Sequence, residues 1–267
     1  MTSDFTHLKV NAEIEDKSRL PVELAASISR RLDAGIRMHV PGWGRHSIRS
    51  LGVSRIIDRY FDTPDRTFQT WSKMHGKQLL LRERHEGTVI GDAHPQNIRT
   101  REQISIIPVA DETHTLVVKV PLDHADSDES MRAAWEHVVI YTEQDREALK
   151  AHYIELLQGI LGVEFNPAAV DIREYVGKVR KSYGVFSRPT SHAPETLVIR
   201  IDLDFVVREY YGPERISVEC YAKYEAEKQG SATVRHFETC AQHLRAVLHI
   251  PHEVPSRTIP PQHSLDE

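Results

Sequence analysis

Twelve consecutive residues, 197–208, alternate without a break. Leu197, Ile199, Ile201, Leu203, Phe205 and Val207 form one face, and Val198, Arg200, Asp202, Asp204, Val206 and Arg208 form the other. Period-two alternation of this length marks a strand, because a helix would scatter the same apolar residues around its circumference. The second face constrains the fold most, since it carries charges of both signs. Either it meets water on a half-exposed sheet, or it lines a closed barrel whose apolar faces lie under helices. Periodicity alone leaves both arrangements open.

The pattern recurs. Residues 216–223 set Ile216, Val218, Cys220 and Ala222 against Ser217, Glu219, Tyr221 and Lys223. Residues 79–84 put Arg82 and Arg84 on one face, and 116–120 put Lys119 opposite Leu116, Val118 and Val120. Carboxylates alone would suggest a hard divalent cation, and Arg and Lys alone a polyanion. Together they suit a metal-bound phosphate chain, whose cation offsets the charge of both phosphate and carboxylate.

Composition excludes several classes. The chain has 267 residues, enough for a core that needs no disulfides or structural metal. Its net charge of -5 argues against a general nucleic-acid binder. Two cysteines, Cys220 and Cys240, make no disulfide framework, and there is no Cys-x-x-Cys. The 16 histidines are scattered without a His-Glu-x-x-His, so they read as surface or core residues. No apolar run approaches the roughly 18 residues of a membrane span, and MTSDFTHLKV lacks a signal-peptide layout. The expectation is a soluble, cytoplasmic protein with no nucleic-acid or membrane partner.

Further strands are expected at 8–17, 54–62, 78–84, 115–121, 135–141, 175–186 and 215–224. Helices are expected at 21–36, 143–161 and 231–248, the last from the spacing of Val234, Phe237, Ala241, Leu244 and Leu248. The stretch 85–114 is long for a hairpin loop and reads as an inserted excursion, with a short strand at 102–107. Residues 251–267 hold four prolines and little apolar content, which predicts a disordered tail after one domain spanning 1–250.

Five segments then carry a resemblance. Glu13-Ile14-Glu15-Asp16-Lys17 reads as Glu-x-Glu-x-Lys; Tyr60-Phe61-Asp62-Thr63-Pro64-Asp65, Leu81-Arg82-Glu83-Arg84 and Val118-Lys119-Val120-Pro121 follow in order. Arg200-Ile201-Asp202-Leu203-Asp204 and the strand around Glu219 complete the set. Together they resemble the CYTH superfamily, the triphosphate tunnel metalloenzymes, which includes thiamine triphosphatase and class IV adenylyl cyclase. The resemblance implies an α+β fold, a closed eight-stranded antiparallel β-tunnel with flanking helices.

It also implies roles. Glu13, Glu15, Asp204 and Glu219 would hold Mg²⁺ or Mn²⁺, Asp202 shares the face of Asp204, and Glu136 falls near a further acidic position. Lys17, Arg82, Arg84, Lys119 and Arg200 would hold phosphate oxygens, joined by Arg180 or Lys181, between which alternation does not decide. Tyr60 and Lys119 match a Tyr–Lys pair assigned as the base in thiamine-triphosphatase-like members. The implied activity is metal-dependent hydrolysis of a small triphosphate: inorganic triphosphate, thiamine triphosphate or a nucleotide. Adenylyl cyclase and a non-catalytic polyphosphate- or nucleotide-binding module are the alternatives. Two positions depart from the family. Ser217 stands where a Glu-x-Glu pair is usual, and Leu80 replaces the aromatic residue that would stack on thiamine.

Overall fold

The structure is a computed structural model. It describes residues 13–75, 79–91, 93–95, 98, 101–121, 134–162, 164–188, 194–210, 216–227 and 231–250. At 13–17, 119–121, 134–138, 160, 209–210, 216–227 and 231–234 it describes the backbone alone. The strands are β1 (Glu13–Leu20), β2 (Ile36–Val40), β3 (Gly44–Asp62), β4 (Leu80–Val89), β5 (Val109–Pro121), β6 (Ala134–Ile140), β7 (Asp171–Ser187), β8 (Thr196–Tyr210) and β9 (Ile216–Glu227). The helices are α1 (Val22–Asp33), α2 (Thr67–His75), α3 (Arg101–Ile106), α4 (Arg146–Leu161) and α5 (Ser231–Leu248). This is a mixed α+β fold on a mostly antiparallel sheet.

The strands hydrogen-bond in the order β1-β9-β8-β7-β3-β4-β5-β6, and β2 pairs with β3. The eight strands of the expected tunnel are therefore joined by a ninth, β2. Among the described residues the ladder ends at β1 and β6 and does not close on itself.

The chain forms two compact units, because β3, β7, β8 and β9 are long enough to contribute to both. Of the described residues, the first holds residue 13 and those within 52–180 and 205–218; the second holds those within 14–51, 181–204 and 219–250.

In the first unit, β3, β4, β5 and β6 form an antiparallel run with Tyr60 opposite Arg82, Arg82 opposite Val117 and Lys119 opposite Glu136. One face of this run is apolar. Phe61, Leu81, Leu116 and Val118 pack with Phe68 of α2 and with Tyr153, Ile154, Leu157 and Leu161 of α4. Helix α4 stops at Gly162, whose φ of 60° is the left-handed conformation glycine adopts most readily, with its N–H on the Gln158 carbonyl.

One expectation fails in this unit, and one helix goes beyond the sequence reading. Residues 102–107 are not a strand: 101–106 form α3, which buries Ile104 beside Gly177, where an added Cβ would lie 3.2 Å from the Ile104 Cδ1. Six residues of mixed polarity fit one helical turn as well as a strand, and the glycine opposite decides between them. Helix α2 was also unforeseen, because the Thr-Pro-Asp before it reads only as the end of a strand.

The second unit packs α1 and α5 against apolar strand faces. Helix α1 follows Pro21, carries Glu23 in its first turn and Arg30 and Arg31 in its last, and buries Ala25, Ala26, Ile28 and Leu32. The charges complement the helix dipole at both ends. Helix α5 buries Phe237, Cys240, Ala241, Leu244 and Leu248, and β8 buries Ile199, Ile201 and Leu203. Strand β2, also unforeseen, makes a hairpin with β3 from Ile36↔Ile48 to Val40↔Gly44, turning through Gly42 and Gly44 at φ of 77° and 80°. The expected tail at 251–267 and residues 8–12 of the expected first strand lie outside the described residues.

Candidate functional site

In the first unit the face opposite the apolar core carries buried charge. Asp58 on β3 is wholly inaccessible, and Arg82, Lys178 and Arg180 are each under a tenth exposed. Register explains why they meet. Asp58 lies opposite Arg84 and Tyr60 opposite Arg82, while Lys178 and Arg180 alternate along β7. The Arg84 guanidinium donates to both carboxylate oxygens of Asp58, at 2.7 and 2.9 Å. Lys178 Nζ stands 3.3 Å from Asp58 and Arg82 Nε 3.8 Å. The Arg82 guanidinium also lies 5.9 Å from the centre of the Tyr60 ring.

Burial would raise the Asp58 carboxyl, but Lys178, Arg82 and Arg84 outweigh it and hold the group far below the usual carboxylate range. Burial likewise opposes the charge on Arg84, and Asp58 more than restores it, despite repulsion from Arg180. Asp58 is therefore an anion and Arg84 a cation at any ordinary pH. Three cations share this carboxylate, Arg82, Arg84 and Lys178, and Arg180 lies near enough to repel Arg84. Guanidinium and ammonium groups gathered in this way are the donors that recognition of phosphate oxygens uses.

On the opposite face Glu83 does a structural task. It is almost fully buried and accepts from Arg59 at 3.1 Å, from Arg146 Nε at 2.5 Å and from the Tyr141 hydroxyl. Burial would raise its carboxyl; the nearby His85 ring, 3.9 Å away, and the bonds from Arg146 and Tyr141 win and lower it. The alternation Arg82-Glu83-Arg84 thus splits into two cations facing Asp58 and one anion tying β4 to the start of α4.

The second unit holds the charged part of β8. Ser182 Oγ donates to Asp202 at 2.6 Å, Arg200 Nε donates to the same oxygen at 2.9 Å, and Arg200 Nη2 to Ser182 at 3.0 Å. Asp204 follows on the same face and is 8% exposed. Lys181 lies apart from this group: its ammonium pairs with Asp33 of α1 at 3.0 Å, beside the Tyr183 hydroxyl. Of the two β7 candidates, Arg180 alternates with Lys178 on the face of Asp58, and Lys181 is held on α1.

Glu13, Glu15, Lys17, Lys119, Glu136, Ser217 and Glu219 are described by backbone alone. Lys119 pairs with Leu80 and Val117 with Arg82, so Lys119 occupies a register position of the same parity as Arg82. The carboxylates Asp202 and Asp204 are donors of the class a hard cation takes, and the buried Asp204 fits that class.

Sequence reasoning missed Asp58 and Lys178. The signal was present as parity, Asp58 with Tyr60 and Lys178 with Arg180, but neither residue belonged to a matched motif. It also missed a cluster of His46, His236 and Cys240, whose ligand atoms lie within 4.8 Å of one another. There the signal was weaker: a His–Cys pair four residues apart on the last helix.

No family model matches the chain, and no curated protein matches it. A solved structure from Vibrio parahaemolyticus, titled a "putative adenylate cyclase", aligns over 90% of this chain and 90% of its own, at 12% identity and a TM-score of 0.41. Agreement that loose carries no argument about fold or chemistry. Among the described residues no helix is long and apolar enough to cross a membrane.

Proposed function

We propose that the chain is a metal-dependent triphosphatase that hydrolyses inorganic triphosphate or a small organic triphosphate. The supporting observation is the group of cations on two strands of one sheet face: Arg82, Arg84 and Lys178 on Asp58, with Arg180 near Arg84. A chain of phosphates needs several cations in a row, and guanidinium groups match phosphate oxygens in pairs. The order of the five motif segments assigns the cluster to a CYTH-type tunnel, closed and eight-stranded in this reading.

Phosphoryl transfer is governed by positioning and charge neutralisation. Arg82 and Arg84 would grip the phosphate oxygens, with Asp58 fixing the Arg84 plane from behind. Lys178 and Arg180 would extend the grip along β7. In the second unit, Arg200, oriented by Asp202 and Ser182, is a further proposed phosphate-binding guanidinium. Glu13, Glu15, Asp204 and Glu219 are the proposed ligands of Mg²⁺ or Mn²⁺, which when bound would neutralise phosphate charge and orient water. Tyr60 and Lys119 are the proposed base pair. Leu80 favours inorganic triphosphate over the thiamine ester.

The test is phosphate release from inorganic triphosphate, thiamine triphosphate and ATP with Mg²⁺ or Mn²⁺. Metal-dependent release is expected, lowered in Tyr60→Phe by about a hundredfold or more without loss of substrate affinity. Arg84→Ala should instead raise KM. Cyclic AMP from ATP would make the chain a lyase, and tight binding without turnover would make it a phosphate-binding module.

A further inference from the structure

We propose that His46, His236 and Cys240 form a zinc site in the second unit, independent of the carboxylate metal site above. His46 Nε2 lies 3.0 Å from His236 Nε2 and 3.7 Å from Cys240 Sγ. Zn–N and Zn–S bonds of about 2.05 and 2.3 Å at tetrahedral angles set ligand separations of about 3.3 and 3.6 Å. His46 Nε2 therefore stands within a few tenths of an ångström of a ligand separation from each of its two partners, and all three ligand atoms lie within 4.8 Å of one another.

The surroundings support the assignment. His46 Nδ1 lies 3.1 Å from the Gly44 carbonyl, which can only accept, so Nδ1 carries the proton and Nε2 keeps its lone pair. That is the outer bond a metal-ligating histidine typically makes. The Trp43 ring stacks on His236 with centroids 4.0 Å apart and planes within 5°, which fixes its orientation. His236 and Cys240 are four residues apart on α5, hence on one helix face. A cleft of about 570 Å³ lined by Trp43, Ser187, Thr196, Val198 and His236 reaches the site. It leaves room for water or a small ligand at the fourth position.

Nitrogen and thiolate donors select zinc over the hard cations that carboxylates hold. Metal entry displaces the Cys240 thiol proton to solvent and moves the His236 ring proton to Nδ1, so one proton is released per zinc.

The test uses the full chain, stripped with a chelator and titrated with Co²⁺. One equivalent should produce thiolate-to-cobalt charge transfer and the visible bands of a four-coordinate ion. Zn²⁺ should remove both, and Mg²⁺ should leave them. Cys240→Ala should abolish the charge-transfer band, and Cys220→Ala should keep it. His236→Gln, a change at a partly exposed ring, should weaken Zn²⁺ by more than about a hundredfold, beyond what losing an outer-shell hydrogen bond costs. No thiolate band in the parent chain, a band that survives Cys240→Ala, or unchanged zinc affinity in His236→Gln would each overturn the proposal. If Cys240→Ala does not fold, as judged by circular dichroism, the His236→Gln result decides.

Discussion

Asp58 and Glu83 sit on adjacent strands, are both buried carboxylates, and point to opposite faces. Each is held as an anion by cations that outweigh its burial, so each stabilises the fold only while ionised. Asp58→Asn keeps the shape but removes the carboxylate charge that Arg82, Arg84 and Lys178 share. Removing one partner of a buried ion pair costs about 3–5 kcal/mol, and urea unfolding should show a loss of that order. A loss below about 1 kcal/mol would mean that Asp58 does not organise the cluster. The pH dependence follows from the same two groups. Both carboxyls are depressed in the folded chain, so their contribution is complete above the ordinary carboxylate value of about 4 and is lost as pH falls through the folded values. The urea midpoint should fall steadily below about pH 4, and Glu83→Gln should flatten part of that slope. An unchanged slope in Glu83→Gln would separate Glu83 from acid sensitivity.

Among the elements, α2 shows how a recognisable segment can serve structure first. The Asp62 carboxylate accepts from the backbone N–H of Thr63, Phe68 and Gln69 at 2.8, 2.9 and 3.1 Å, and Thr63 Oγ1 accepts from Thr67 N at 2.9 Å. The Asp-Thr-Pro stretch therefore caps a helix that buries Phe68 in the core. Asp62→Ala should cost about 1–2 kcal/mol, the upper range for a cap, with local exchange of the α2 amides rising first. Protection of α2 unchanged in that variant would remove Asp62 as its cap. The sequence announced α1, α4, α5 and most strands because each has an apolar period long enough to read. It hid α2 and α3 because they bury essentially one side chain each, Phe68 and Ile104, which leaves no period to detect. The site divides the same way. Parity put Arg82, Arg84 and Lys119 on one face, whereas Asp58 and the His46–His236–Cys240 group depend on which strand or helix lies opposite.

Across the whole molecule the sheet keeps its apolar residues toward the helices and buries much of its charge on the other face. In the first unit the charged face is shielded from water, as the burial of Asp58, Arg82, Lys178 and Arg180 shows. Arg82, Arg84 and Lys178 gather on one carboxylate, and a polyanion bound among them would stabilise the folded chain by its own binding free energy. Inorganic triphosphate should therefore raise the melting temperature even without metal or turnover. At a hundred times its dissociation constant a ligand adds about 2.7 kcal/mol. For a chain of this size each kcal/mol shifts melting by about 2–4 °C, so a rise of about 5–10 °C is expected. Monophosphate, which spans fewer of the cations, should shift melting less. Added salt should reduce the triphosphate shift only modestly, since buried charges are screened less than exposed ones. Arg84→Ala should shrink the shift and Lys181→Ala should leave it unchanged, because Lys181 is committed to Asp33. Equal shifts in the parent chain and Arg84→Ala would place the polyanion on the surface instead of on the Asp58 cluster.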